Sequence, residues 1–148
     1  MLQARMLAPA SLLGLFLVLP AAAADLPAGP IHDRHQLMEE IGKNAKAIGE
    51  AGKAGKPQDA VEPAAKIQEA AKKIPDLFPK GSTHPESRAK PEIWDNWERF
   101  VELSKGLETT AGDVVTAAKT GGDLGAATGP LFLNCKTCHE AFRKPDEE

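Results

Sequence analysis

Apolar residues recur along this chain at helical spacing in four separate stretches. Between Pro30 and Gly49 the stripe runs Ile31, Met38, Ile41, Ala45 and Ile48, in steps of seven, three, four and three with His35 in the gap, which lays one apolar face along an amphipathic helix. Gly52, Gly55 and Pro57 then break the pattern. Asp59, followed three residues later by Glu62, has the form of a capping box at the start of a second helix. Pro63 falls in the first turn of that helix, where a missing N–H is tolerated. Its stripe of Ala60, Ala64, Ile67, Ala71 and Ile74 is built from small residues and stops at Pro75.

Residues 75–90 contain Pro75, Pro79, Gly81 and Pro85 among polar neighbours, which predicts a long exposed connection with Leu77 and Phe78 turned inward. Pro91 suits the first turn of a third helix. Along it Ile93, Trp97, Phe100, Ser104, Leu107, Ala111, Val114 and Ala118 alternate steps of four and three. Gly121-Gly122 ends that run and Asp123 caps a fourth, in which Leu124, Thr128, Leu131, Cys135, Cys138 and Phe142 share one face. Pro130 interrupts the fourth pattern. It either kinks the helix or moves its start later in the chain. With no period-two segment bounded by turn signals, the pattern predicts an all-α fold, an antiparallel up-down-up-down four-helix bundle.

Residues 1–24 stand outside this scheme. Arg5 gives a positive start, Ser11 to Leu19 is an apolar run short for a bilayer span, and Ala22-Ala23-Ala24 offers an A-x-A site. The competing reading is an uncleaved membrane anchor, but Pro20 and the alanine run resemble a cleavage region. We therefore expect residues 1–24 to be a cleaved signal peptide and residues 25–148 to be a single domain without stable membrane association, exported to the periplasm if the source is a bacterium. Loss of Arg5 with the leader takes the formal net charge from −3 to −4. No basic run or aromatic-basic interleaving is present, so nucleic acid is not an expected partner. The chain has no Tyr, two Trp and five Phe. A core so poor in aromatics gains from a large flat apolar cofactor.

The face of the fourth helix carries the chemistry. Cys135-Lys136-Thr137-Cys138-His139 is a C-x-x-C-H sequence. Two thiols at this spacing can each add to a vinyl group of a haem, and the adjacent histidine can ligate the iron. A zinc site wants about four ligands and the chain has only these two cysteines, whereas a redox C-x-x-C is expected beside a βαβ pattern that is absent here. Export agrees with covalent haem c, which is attached outside the cytoplasm.

Given that motif near the C-terminus, the sequence resembles the class II cytochromes c, cytochrome c′ and its low-spin methionine-ligated relatives, closest to the cytochrome c-556 branch. The likeness is carried by Arg34-His35-Gln36-Leu37-Met38, Leu77-Phe78-Pro79, Pro91-Glu92-Ile93-Trp94 with Phe100, Pro130, and the run from Cys135 to Arg143. The resemblance implies a four-helix bundle, thioethers at Cys135 and Cys138, His139 as proximal ligand and Met38 as sixth ligand. It also implies Arg34 near the haem propionates, Arg143 on the proximal side, and homodimers through the first two helices. His35 is a weaker candidate ligand, and Met38 also suits plain packing. His32 and His84 read as surface residues, and Trp94 and Trp97 as core or haem-edge packing.

These expectations describe a one-electron carrier serving unnamed redox partner proteins, not an enzyme. The alternative is a five-coordinate protein in the manner of cytochrome c′ that binds nitric oxide or carbon monoxide. A peroxidase would call for a distal acid-base pair, for which His35 is the lone candidate.

Overall fold

A computed structural model of the chain describes residues 28–145. The expected leader and the acidic tail from Asp146 lie outside the described residues. The first long helix, α1, spans Pro30–Lys53. Pro30 takes the first helical position after Gly29 (φ 126°), and Asp33 in the first turn complements the helix dipole. At its far end Gly55 adopts φ 65°. The Lys56 N–H can then reach back to the Ala51 carbonyl at 3.0 Å, a left-handed closure that favours glycine.

A 3₁₀ turn, Pro57–Ala60, leads directly into α2, Val61–Lys73. The expected capping box at Asp59 and Glu62 is not formed. Asp59 lies inside the turn, and Ala60 already has right-handed helical angles (φ −83°, ψ −15°), so no extended residue is available to cap with its side chain. Pro63 sits in the first turn of α2 as expected, and Pro75 opens a second 3₁₀ turn, Pro75–Leu77.

The third stripe divides into two helices, α3 (Glu92–Asp95) and α4 (Trp97–Thr120). Asn96 is the break, with φ −120° and ψ 43°. Its N–H and its side-chain amide both donate to the Glu92 carbonyl, at 3.0 and 3.2 Å, the local competition with helix propagation that Asn side chains offer. Trp97 consequently leaves the inward stripe: it is 37% exposed and stacked on Phe100 with ring centroids 5.5 Å apart. Trp94, on the other side of the break, is half-buried and donates its indole N–H to the Phe78 carbonyl at 3.1 Å.

Gly121 (φ 73°) closes α4, with the Gly122 N–H bonded to the Ala117 carbonyl at 2.9 Å. Asp123 caps α5, Leu124–Phe142, by accepting the Ala126 N–H at 3.0 Å. Helix α5 runs through Pro130 without interruption, so the later start is not needed.

The four long helices form the all-α bundle, with no strand among the described residues beyond a single Ala89–Arg143 bridge. Its core is small-faced: Ala60, Ala64, Ala71, Ala111 and Ala118 are fully buried beside Ile48, Ile67, Val114 and Leu131. Helices with alanine at the contact approach closely, and α2 on α4 is the most extensive packing in the molecule. The polar residue in this seam, Ser104, donates to the Ala71 carbonyl at 2.7 Å. On the α5 side of α4, Gly106 faces the Asn134 amide so closely that a methyl group there would collide. The outer faces of α1 and α2 form a shallow groove bordered by Glu40, Glu62, Lys66 and Lys73, on the face where the family resemblance implies a dimer.

The fourth side of the bundle is different. Helices α1 and α5 pack sparsely on each other. They come near at Gly52 and Leu124, where an added Cβ would stand 3.9 Å from the leucine side chain. Toward the start of α1 and the end of α5 a cleft opens between them.

Candidate functional site

The cleft holds about 710 Å³ of empty space including its open mouth. Met38, Ile41, Gly42 and Ala45 of α1 form one wall. Cys135, Cys138 and His139 of α5, with Phe132 and Asn134, form another. Phe100, Leu103, Ser104 and Leu107 of α4 make the back, with Ile74 beyond. A helical step of 3.6 residues puts Cys135, Cys138 and His139 on one side of α5. The helical spacing of α1 does the same for Met38, Ile41 and Ala45.

Both thiols are free and half-buried. Burial pushes the Cys135 thiol up. It pushes the Cys138 thiol to about 11, with the neighbouring Cys135 adding to the rise and the Arg99 charge opposing it. His139 is moved the other way: burial lowers its pKa, and the positive charges of Arg143 and Arg88 lower it further. The imidazole is therefore neutral near neutral pH, the form that can donate a lone pair to a metal.

The turn bearing His139 is fixed from outside the bundle by residues 88–90. Lys90 donates its N–H to the Phe142 carbonyl at 2.9 Å and its ammonium to the Glu140 carbonyl at 2.9 Å. Lys144 N–H bonds the Arg88 carbonyl at 2.8 Å, and the Arg88 guanidinium returns a bond to the Lys144 carbonyl at 2.8 Å. The last carbonyls of α5, which have no partner inside the helix, are satisfied in this way.

Of the other candidates, Arg34 is 4% exposed and does not line the cleft. Its guanidinium donates to the Ser82 hydroxyl (3.2 Å), the Ser82 carbonyl (2.8 Å) and the Ser87 hydroxyl (3.0 Å), and lies 4.8 Å from the centre of the Phe78 ring. Arg143 is exposed at the end of α5, acting on His139 through its charge. His35 is on the outer face of α1, 3.8 Å from Glu39, away from the cleft. His32 is also tied outside, to Asp33 and Gln36, and the His84 ring accepts the Glu86 N–H at 3.2 Å. Sequence reasoning did not single out Ser82, Ser87, Phe132 or Asn134. The serines lie in a loop without periodicity, and Phe132 and Asn134 flank the apolar stripe of α5 instead of belonging to it.

The residues present fit a haem. Two thiols one turn apart and a neutral imidazole open on an almost wholly apolar slot. Among the described residues no group of three or more His, Cys, Asp or Glu could hold a metal ion. The family model described as Cytochrome C′ matches residues 29–143. The chain belongs to the cytochrome c′ family.

Covalently bound haem c is the cofactor of this class II cytochrome c family. The chain is 36% identical over 127 residues to cytochrome c-556 of Agrobacterium fabrum, which covers 82% of this chain and 86% of that protein. It is 31% identical over 144 residues to cytochrome c′ of Rhodospirillum rubrum, covering 94% and 97% of the two. Among solved structures, cytochrome c′ of Rhodopseudomonas palustris superposes with a TM-score of 0.70 at 29% identity, over 82% of this chain and all of that one. The family fold is the four-helix bundle described above, and among the described residues no helix is long and apolar enough to cross a membrane.

Proposed function

We propose that this protein is a one-electron carrier whose haem is held by thioethers from Cys135 and Cys138, with His139 and Met38 as axial ligands. Once bound, the haem would supply one-electron redox chemistry. The observation that carries the reading is the place of Met38. It lines the same apolar cleft as the C-x-x-C-H turn, but from the α1 wall. A thioether there favours the ferrous state relative to bis-histidine ligation. The apolar lining from Ile41, Ala45, Leu103 and Leu107 excludes water.

Among the described residues, His139 is the one titratable group besides the two cysteines that lines the cleft. No acid-base pair is presented to a bound substrate, which supports a carrier and not a peroxidase. The similarity to cytochrome c-556 agrees with this ligand set. Residues 1–24 have the form of an export signal, and we place the mature domain in the periplasm, where protein redox partners would meet its exposed cleft mouth.

A second reading follows from the similarity to cytochrome c′: Met38 packs without ligating, and the distal wall admits nitric oxide or carbon monoxide. A Met38→Ala substitution separates the two. In the carrier it leaves haem attached, opens the sixth position, converts the sharp reduced α and β bands to a broad high-spin spectrum, lowers the reduction potential and admits carbon monoxide rapidly. A variant indistinguishable from wild type in spectrum and carbon monoxide binding would refute Met38 ligation and put the gas-binding reading first.

A further inference from the structure

The two walls of the cleft, α1 and α5, have little direct contact, yet they are linked through the loop that follows the second 3₁₀ turn. On the α1 side the link is Arg34. The guanidinium is buried and committed to Ser82 and Ser87 through three hydrogen bonds, with its face on Phe78. On the α5 side the link is the set of bonds between residues 87–90 and 140–144. Ser87 belongs to both halves. Its hydroxyl accepts from Arg34 at 3.0 Å, and its carbonyl accepts from the Lys144 ammonium at 3.2 Å. One buried residue thus joins the first turns of α1 to the end of α5. Arg34 precedes Met38 by one helical turn, so the two side chains leave α1 on the same side, and a helix transmits a shift at one to the other almost undiminished.

We propose that Arg34 is a positioning residue: by holding Ser82 and Ser87 it sets the distance from the Met38 wall to the C-x-x-C-H wall, and so how firmly Met38 closes the sixth position of the iron. This rests on the reading of Met38 as a ligand. A direct contact of Arg34 with the haem propionates would give the arginine a different role, and the serines tell the two apart. Removing the serine hydroxyls cuts two of the three bonds and leaves the guanidinium in place.

The test uses the haem-loaded mature protein in four variants: Ser82→Ala combined with Ser87→Ala, Arg34→Lys, Met38→Ala, and Gln58→Ala as a stability control. Gln58 makes a comparable bond, to the Ala118 carbonyl at 2.8 Å, at the opposite end of the bundle. The readouts are carbon monoxide association rate, spin state and reduction potential, with amide hydrogen exchange in the first two turns of α1. The double serine variant and Arg34→Lys should each bind carbon monoxide about tenfold faster than wild type, a factor that needs only part of the lost hydrogen bonding to reach the sixth position. They should also shift spectrum and potential toward Met38→Ala and exchange faster in α1, while Gln58→Ala lowers the melting temperature and leaves the haem readouts alone.

A double serine variant with wild-type carbon monoxide kinetics, alongside a responsive Met38→Ala, overturns the inference and leaves the ligand reading standing. A response to Arg34→Lys but not to the serine changes overturns it in favour of direct haem contact. A silent Met38→Ala removes the ligand reading and the inference together.

Discussion

That Cys135, Cys138 and His139 share one side of α5 and line one cleft was legible from the sequence, because a helix of any context puts residues three and four apart on one side. Their surroundings add a neutral imidazole and protonated thiols, neither of which spacing reports. At this scale the expectation is direct. Cys135→Ala or Cys138→Ala leaves at most one thioether and weakens haem retention, and the double substitution abolishes covalent haem. Denaturing electrophoresis with haem staining checks it, and undiminished staining of the double variant would be incompatible with thioether attachment. Arg34 shows where residue-level reading stops. Family resemblance suggests a cofactor role for it but gives no hint of its hydrogen bonds to Ser82 and Ser87, 48 and 53 residues later in a loop with no pattern.

The helices were legible wherever a stripe of apolar residues had a clear end. Gly121 and Asp123 mark the α4–α5 corner as the sequence suggested, one by left-handed closure and the other by capping. Changing Asp123 to Ala should cost about 1 kcal/mol by exposing an N–H that the carboxylate now accepts. Gly121→Ala should cost a similar amount, about 1–2 kcal/mol, because φ 73° is strained for a residue with a Cβ. Denaturant titration of the holo-protein measures both; a Gly121→Ala midpoint equal to wild type would show that this corner relaxes freely. The break at Asn96 was hidden. The apolar spacing continues across it, and what stops the helix is an amide bonding its own backbone, a competition that periodicity cannot register. The missing capping box failed for a related reason, since the 3₁₀ entry to α2 uses up the extended conformation that a cap requires.

For the molecule as a whole, the sequence foretold four antiparallel helices but not that one of their faces is left open. Three faces of the bundle close on alanine-rich seams; the fourth is an apolar slot between α1 and α5. A cavity of that kind is costly when empty, on the order of 20 cal/mol for each Å³ that collapse does not fill, and a group that binds the folded form alone adds its binding free energy to stability. Haem-free protein should therefore show reduced far-ultraviolet helicity and a broad melt. Native helicity with a cooperative transition close to that of the holo-protein would mean that the alanine seams suffice without the cofactor.

The loop clamp on the end of α5 also bears on the order in which the protein is made. The end of α5, just beyond the turn that carries both cysteines, is held by residues 88–90, burial keeps the Cys138 thiol protonated, and a protonated, half-sheltered thiol is a poor partner for a vinyl group. A chain that had already closed its bundle would resist the modification it depends on. We therefore expect attachment to precede folding: the C-terminal segment would be modified while still loose, and the porphyrin would become the surface on which α1 and α5 afterwards come to rest.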